Sequence, residues 1–381
     1  MFIFSVTLFS RYDTLNKLAY FAFQFAGLLH KEGTKLFSIF TAYQIISMHI
    51  SVTVAIIELF VGSREVKDIV GTLSTAVTVT CAISRALRFL SRRKKIINIL
   101  DRLEIIRIKM LKDQDNKHFV TEAENFGKRV LAGVFISLNG FPFPSFMWYT
   151  ISDLTMEFKQ KHLVLKVWTP WNFNNVWTNI VTNAMISIMS FTCLTVYVGI
   201  HFMEITFTLY VSAYIKTLQN KLINKGIKNE EIYEQHKVII QLIKDHNEVL
   251  SGIKYLETQI SPLMPCGFGY VSMRALKRNE INEAVDNCVR AILCLMPSVV
   301  TCCCGQQIIT EMEKLHEATY MSKWYKEEPK FRKDLLTMMI RTTNPPTINY
   351  RLFVKFDHVL LALVLQTVYS YMMLMVNLDA E

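Results

Sequence analysis

Seven stretches of this chain run for 15 to 28 residues with almost no charge, and no other feature limits its fold as strongly. A bilayer core of about 30 Å takes roughly 20 apolar residues of helix. Leu36–Gly62 is broken only by His49 and Glu58, and Ile69–Leu90 carries Arg85 and Arg88 at one end. Val130–Ser152 and Val176–Met203 are uncharged apart from His201, and Ala291–Thr310 and Val359–Leu378 contain no charge. Gln259–Met273 is shorter and holds Pro262, Pro265, Gly267 and Gly269, so the amphipathic run that starts at Ile232 is needed to lengthen it. Composition agrees: 19% of residues are charged, against about a quarter in a soluble domain. Soluble multidomain, disordered and disulfide-scaffold classes are excluded. The expected fold class is all-α, a polytopic membrane protein with seven transmembrane helices.

The net charge of +10 supplies an orientation. With the N-terminus cytoplasmic, 33 of the 42 Lys and Arg fall in the segments 1–35, 85–129, 216–254 and 314–355, and 9 fall outside. Basic residues accumulate on the cytoplasmic side, so the N-terminus is expected inside and the C-terminus outside. A G-protein-coupled receptor would require the reverse. Juxtamembrane charge then explains Ser91-Arg-Arg-Lys-Lys without nucleic acid. The apolar opening MFIFSVTLFS lacks a basic start and meets Arg11 and Asp13 at once, which favours a short membrane-surface helix through Leu29 over a signal peptide.

Several helical patterns outrun the membrane. Lys95–Lys112 alternates apolar and charged residues at helical spacing, and the pattern from Val176 persists to about Leu222. Residues 231–256 and Glu311–Ile340 repeat the amphipathic pattern. These extensions predict a compact cytoplasmic bundle, which serves either as scaffolding or in subunit assembly. The expected organisation is a segment with a surface helix at 1–35 and six spans at 36–310. An anchor helix at 311–350 and a seventh span with a short tail at 351–381 complete it.

Enzyme chemistry has no foothold. The eight cysteines lie in or beside apolar segments without CxxC spacing, and no HExxH, GxSxG or phosphate-cradling loop occurs. No catalytic residue, metal ligand or cofactor is expected. Ionisable groups at membrane depth, namely Glu58, His201 with Glu204, and the Lys355, Asp357, His358 cluster, are expected near the interfaces. In the last span Gln366, Ser370 and Asn377 share one helical face. That face suits either a pore lining or helix–helix packing. In the third span Phe141, Phe143, Phe146 and Tyr149 crowd around Pro142 and Pro144. An interfacial aromatic belt and the wall of an apolar pocket both fit.

The carboxyl-terminal third resembles the insect odorant receptor family. The resemblance is carried by Cys304-Gly-Gln-Gln, Glu313-Lys-Leu, Ala318-Thr-Tyr320, Trp324-Tyr, Phe331-Arg-Lys-Asp-Leu-Leu, Met338-Met-Ile-Arg341 and Pro346. Ser370-Tyr371-Met-Met-Leu374 and Trp168-Thr-Pro170-Trp171-Asn172 add to it. The chain looks like a ligand-tuning subunit rather than the co-receptor, since no long insertion separates spans four and five. The resemblance implies a ligand-gated, non-selective cation channel in the plasma membrane, a heterotetramer with an olfactory co-receptor, activated by small volatile molecules. It places Leu374, Asn377 and Leu378 at the gate and Gln366 and Ser370 along the pore. It puts ligand among Phe141, Phe143, Phe146, Tyr149, Met185, Phe268 and Tyr270. The short fifth span departs from the family pattern and predicts a different pocket floor. The alternatives are a gustatory receptor of the same fold, whose usual Thr-Tyr…Gln-Phe ending is here Ser370-Tyr371…Asn377-Leu378, and a seven-span G-protein-coupled chemoreceptor.

Overall fold

The computed structural model describes residues 14–26, 28, 35–62, 66–140, 168–169, 176–224, 230–322, 324–326, 328–351 and 353–378. In chain order the helices are α1 (Leu15–Phe25), α2 (Lys35–Val61), α3 (Val66–Lys112), α4 (Lys117–Gly140), α5 (Val176–Asn224), α6 (Glu230–Ile260), α7 (Leu263–Lys277), α8 (Ile281–Met321), α9 (Pro329–Thr343) and α10 (His358–Leu378). Strands β1 (Asn349–Tyr350) and β2 (Val354–Lys355) form a small antiparallel hairpin between α9 and α10.

Among the described residues five helices are long and apolar enough to cross a membrane, in α2, α3, α5, α8 and α10. At about 1.5 Å per residue, the 47 residues of α3 and 49 of α5 far exceed a bilayer core. Their basic and amphipathic ends continue into the bundle that the sequence pattern predicts. The expected third span begins in α4, but everything beyond Gly140 in that stretch, including Phe141, Phe143, Phe146 and Tyr149, lies outside the described residues. The fifth is split: α6 stops at Ile260, Ser261 and Pro262 turn, and α7 resumes at Leu263. Proline lacks the N–H that would continue the ladder.

The core follows α5. Tyr210, Phe207, Phe202, Ile215 and Leu218 are fully enclosed, and α1 inserts Leu15, Leu18 and Phe23 against it. The helix expected at a membrane surface therefore buries its apolar face in protein, with Thr14 accepting from the Lys17 N–H as its N-cap. Polar links surround this core: Glu124 of α4 accepts from Arg107 of α3 at 2.6 Å and from the Tyr210 hydroxyl at 3.0 Å. The predicted helix over Glu311–Ile340 is interrupted. α8 ends at Met321, a 3-10 turn covers Trp324–Lys326, and Pro329 opens α9 at a position where its missing N–H costs nothing. The expected organisational bound at residue 310 falls inside α8.

Candidate ligand pocket and pore face

The short Pro/Gly-rich helix packs against α3, α8 and α10. On α7, Pro265, Cys266, Gly267, Phe268, Tyr270, Val271, Ser272 and Ala275 are buried. The reason is steric. A Cβ at Gly267 would stand 2.9 Å from Val70 of α3, and one at Gly269 would stand 2.8 Å from the Met372 sulfur of α10. Small residues let helices approach closely where no hydrophobic force draws them together. Polar side chains add contacts to α8 and α3: Ser272 donates to the Ala284 carbonyl at 2.6 Å, and Ser74 and Thr78 of α3 each lie 3.4 Å from the Met264 sulfur. A helix surrounded by protein needs small packing residues rather than the continuous aliphatic stripe of a lipid-facing one. Gly267 and Gly269 thus stand where its neighbours come closest.

The expected ligand residues are divided by this arrangement. Phe268 and Tyr270 are buried on α7, whereas Met185 of α5 is 44% exposed and points away from the enclosed interior. α5 otherwise turns Tyr197 inward, where its hydroxyl donates to the Thr78 carbonyl at 3.2 Å.

α10 is the opposite of α7. Gln366, Ser370, Leu374 and Asn377 are all exposed, at spacings of four, four and three, so they form one uncharged stripe. Leu378 closes the helix. The start of α10 is tightly specified. The Asp357 carboxylate accepts from the Leu360 N–H at 2.9 Å, which makes Asp357 the N-cap. Gln306 of α8 accepts from the His358 N–H at 3.4 Å. Next to it, any side chain at Gly305 would overlap the Phe356 carbonyl oxygen. The hairpin before α10 docks on α6: Asn247 donates to the Thr347 carbonyl at 2.8 Å and accepts from the Asn349 N–H at 3.3 Å, while Tyr255 stacks on Tyr350 at 4.5 Å. Arg351 takes φ 46 in the turn. An Asp directly before an apolar run is a helix-start signal, so this role of Asp357 was legible. The hairpin was not.

His201 and Glu204 are enclosed by protein together with Arg85. Arg85 pairs with Glu257, and Lys254 donates to Glu204 at 2.5 Å. Burial of a charge is tolerated when a partner and hydrogen bonds replace water. Among the described residues no group of His, Cys, Asp and Glu could hold a metal ion.

Enclosed helices packed around α5, a broken helix beside them and an uncharged final helix left largely bare define a polytopic all-α membrane protein. The comparisons narrow this class. The family model described as 7tm odorant receptor matches residues 65–369, and the chain belongs to that family. The solved structure of the insect olfactory receptor OR5 from Machilis hrabei aligns with a TM-score of 0.77 and 14% identity, covering 94% of this chain and 96% of that one. The same receptor in complex with eugenol aligns with a TM-score of 0.77 and 13% identity, covering 99% of each chain. No curated protein sequence matches the chain.

Proposed function

We propose that this odorant receptor is the ligand-tuning subunit of a non-selective cation channel in the plasma membrane, opened by small volatile molecules and completed by an olfactory co-receptor. The observation that carries this reading is the bare face of α10. Only 6% of its apolar stretch is buried, and the stripe it leaves open, Gln366, Ser370, Leu374 and Asn377, is polar or aliphatic without charge. Such a stripe can line a water-filled path once several subunits meet, with Leu374, Asn377 and Leu378 as the constriction. Uncharged polar groups pass cations without holding them.

The ligand site lies among Phe141, Phe143, Phe146 and Tyr149 with Met185, Phe268 and Tyr270. Its recognition rests on apolar contact, which is non-directional and discriminates by shape. Support comes from burial of Phe268 and Tyr270 on α7, and from the eugenol complex of the structurally similar Machilis hrabei receptor.

The test is expression in cells with and without the co-receptor, recording odour-evoked cation current across a volatile panel. Current only in the pair, with Phe268→Ala or Phe143→Ala re-ranking the active odorants, is expected. Current independent of any co-receptor, or an extracellular amino-terminal tag on intact cells, would overturn the reading.

A further inference from the structure

Two buried ion pairs join three helices just before the Ser261–Pro262 break, and a hydrogen bond from Thr301 adds a fourth. The Arg85 guanidinium of α3 pairs with Glu257 of α6, lies over the Tyr197 ring of α5 at 4.0 Å, and approaches His201 Nε2 to 3.5 Å. One turn earlier on α6, Lys254 Nζ donates to Glu204 Oε1 of α5 at 2.5 Å. The second oxygen of Glu204 accepts from Thr301 of α8 at 3.2 Å and lies 3.5 Å from His201 Nδ1. Two cations and two anions balance. Lys254 and Glu257 precede the break, and Phe268 and Tyr270 follow it on α7.

Such pairs favour discrete arrangements. Taking a charge from water costs several kcal/mol, recovered only while its partner and hydrogen bonds hold good geometry. Sliding α6 along α5 or α3 therefore meets a barrier at Glu204 and Glu257 rather than a smooth slope, and α8 is tied to that fixed point by the Thr301 hydrogen bond. The consequence falls on the last helix. One turn beyond Thr301, Gly305 lies against the Phe356 carbonyl with no room for a methyl, and Gln306 holds the His358 N–H. Movement at Thr301 reaches the first residues of α10 without slack.

We propose that the Arg85–Glu257 and Glu204–Lys254 pairs, linked to α8 through Thr301, are positioning residues that fix the register of α3, α5, α6 and α8 from which α10 starts, and so set how odorant occupancy is converted into opening. This inference rests on the channel reading above. None of these groups belongs to the proposed ligand residues or to the Gln366–Asn377 stripe. Altering them changes the closed-to-open balance for every odorant alike, whereas altering the pocket changes the order of odorants.

The test compares wild type, Thr301→Val, Glu204→Gln, the double variant Glu204→Gln/Lys254→Met and Phe268→Ala. Each is expressed with the co-receptor and scored for surface labelling, odorant-free current and dose–response curves to several active odorants. Thr301→Val and Glu204→Gln shift all half-maximal concentrations by one common factor of at least about fivefold and change the odorant-free current. The double variant, again balanced in buried charge, moves that factor back toward wild type. Phe268→Ala re-ranks the odorants instead. Unchanged dose–responses with fewer receptors at the surface would show a purely structural role and overturn the proposal, as would odorant-specific re-ranking by Thr301→Val. If Glu204→Gln does not reach the surface, Thr301→Val, which keeps all four charges, decides. A wild type that gives no odour-evoked current with the co-receptor removes the channel reading, and this inference with it.

Discussion

Helices α5 and α10 are both apolar enough to span a bilayer, yet 61% of the apolar stretch of α5 is buried inside the chain against 6% of that of α10. α5 meets α1, α3, α4 and α8 along its length, and its polar groups are committed to specific partners such as Lys254 and the Thr78 carbonyl. α10 touches α7 through Met372 and leaves Gln366, Ser370, Leu374 and Asn377 open. In a membrane, an apolar side chain gains little from leaving lipid for protein, so association rests on close packing and polar bonds. α5 has both. α10 has them at its base, through Asp357, Gln306 and Gly305, and little beyond, which leaves its Gln366–Asn377 face exposed.

The largest effect that would break this contrast lies in the α5 core. Phe207 is fully enclosed and stacks on His246 at 4.2 Å, so Phe207→Ala should destabilise the detergent-solubilised chain by about 3–5 kcal/mol. Loss of the monodisperse species on size-exclusion chromatography checks it, and an unchanged profile would mean the α5 core tolerates a cavity.

A pH effect follows from α6, which packs beside α5. Burial, and then the Arg341 guanidinium, push His236 down to about 4 from its ordinary 6.5. The folded chain thus prefers the neutral ring. Stability is full above pH 6.5 and is lost as pH falls through the window from 6.5 to 4, reaching about 3 kcal/mol at the lower end. Melting temperatures recorded from pH 7.5 to 4.5 should fall, and His236→Gln should flatten the decline. An equally steep decline in the variant assigns the acid sensitivity elsewhere.

At the base of α10, Gly305→Ala forces a methyl into the Phe356 carbonyl. Overpacking of this kind costs about 1–3 kcal/mol. Odour-evoked current should drop more than surface expression does, and equal losses in both would reduce Gly305 to a folding residue. The smallest stability effect is expected on the open face. Ser370→Ala should change melting by no more than about 0.5 kcal/mol while altering the relative permeability of cations. A large melting shift would show that Ser370 is packed in the isolated chain after all.

Much of the fold was legible because hydropathy and helical period are local properties. The long uncharged runs marked α2, α3, α5, α8 and α10, and the amphipathic tails of α3 and α5 showed that these helices outrun the bilayer. The break between α8 and α9 was less visible, although Pro329 signals a new helix start. The hairpin after Ile348 depends on Asn247 and Tyr255, a hundred residues away, and no local pattern encodes it. The candidate site divides in the same way. The stripe Gln366, Ser370 and Asn377 follows from spacing alone, but the exposure of Met185 and the enclosure of Phe268 and Tyr270 depend on which neighbours each helix meets.

The sequence by itself determined that this chain spans a membrane and which family it belongs to, because charge, hydropathy and short signatures are read residue by residue. Only the tertiary structure decided that Phe268, Tyr270 and their neighbours on the short Pro/Gly-rich helix are buried. It also decided that Arg85 and Glu204 are buried partners of Glu257 and Lys254, and that α10 is left bare. Each of these is a statement about neighbours distant in the chain, and close packing and charge pairing exist only once those neighbours have met.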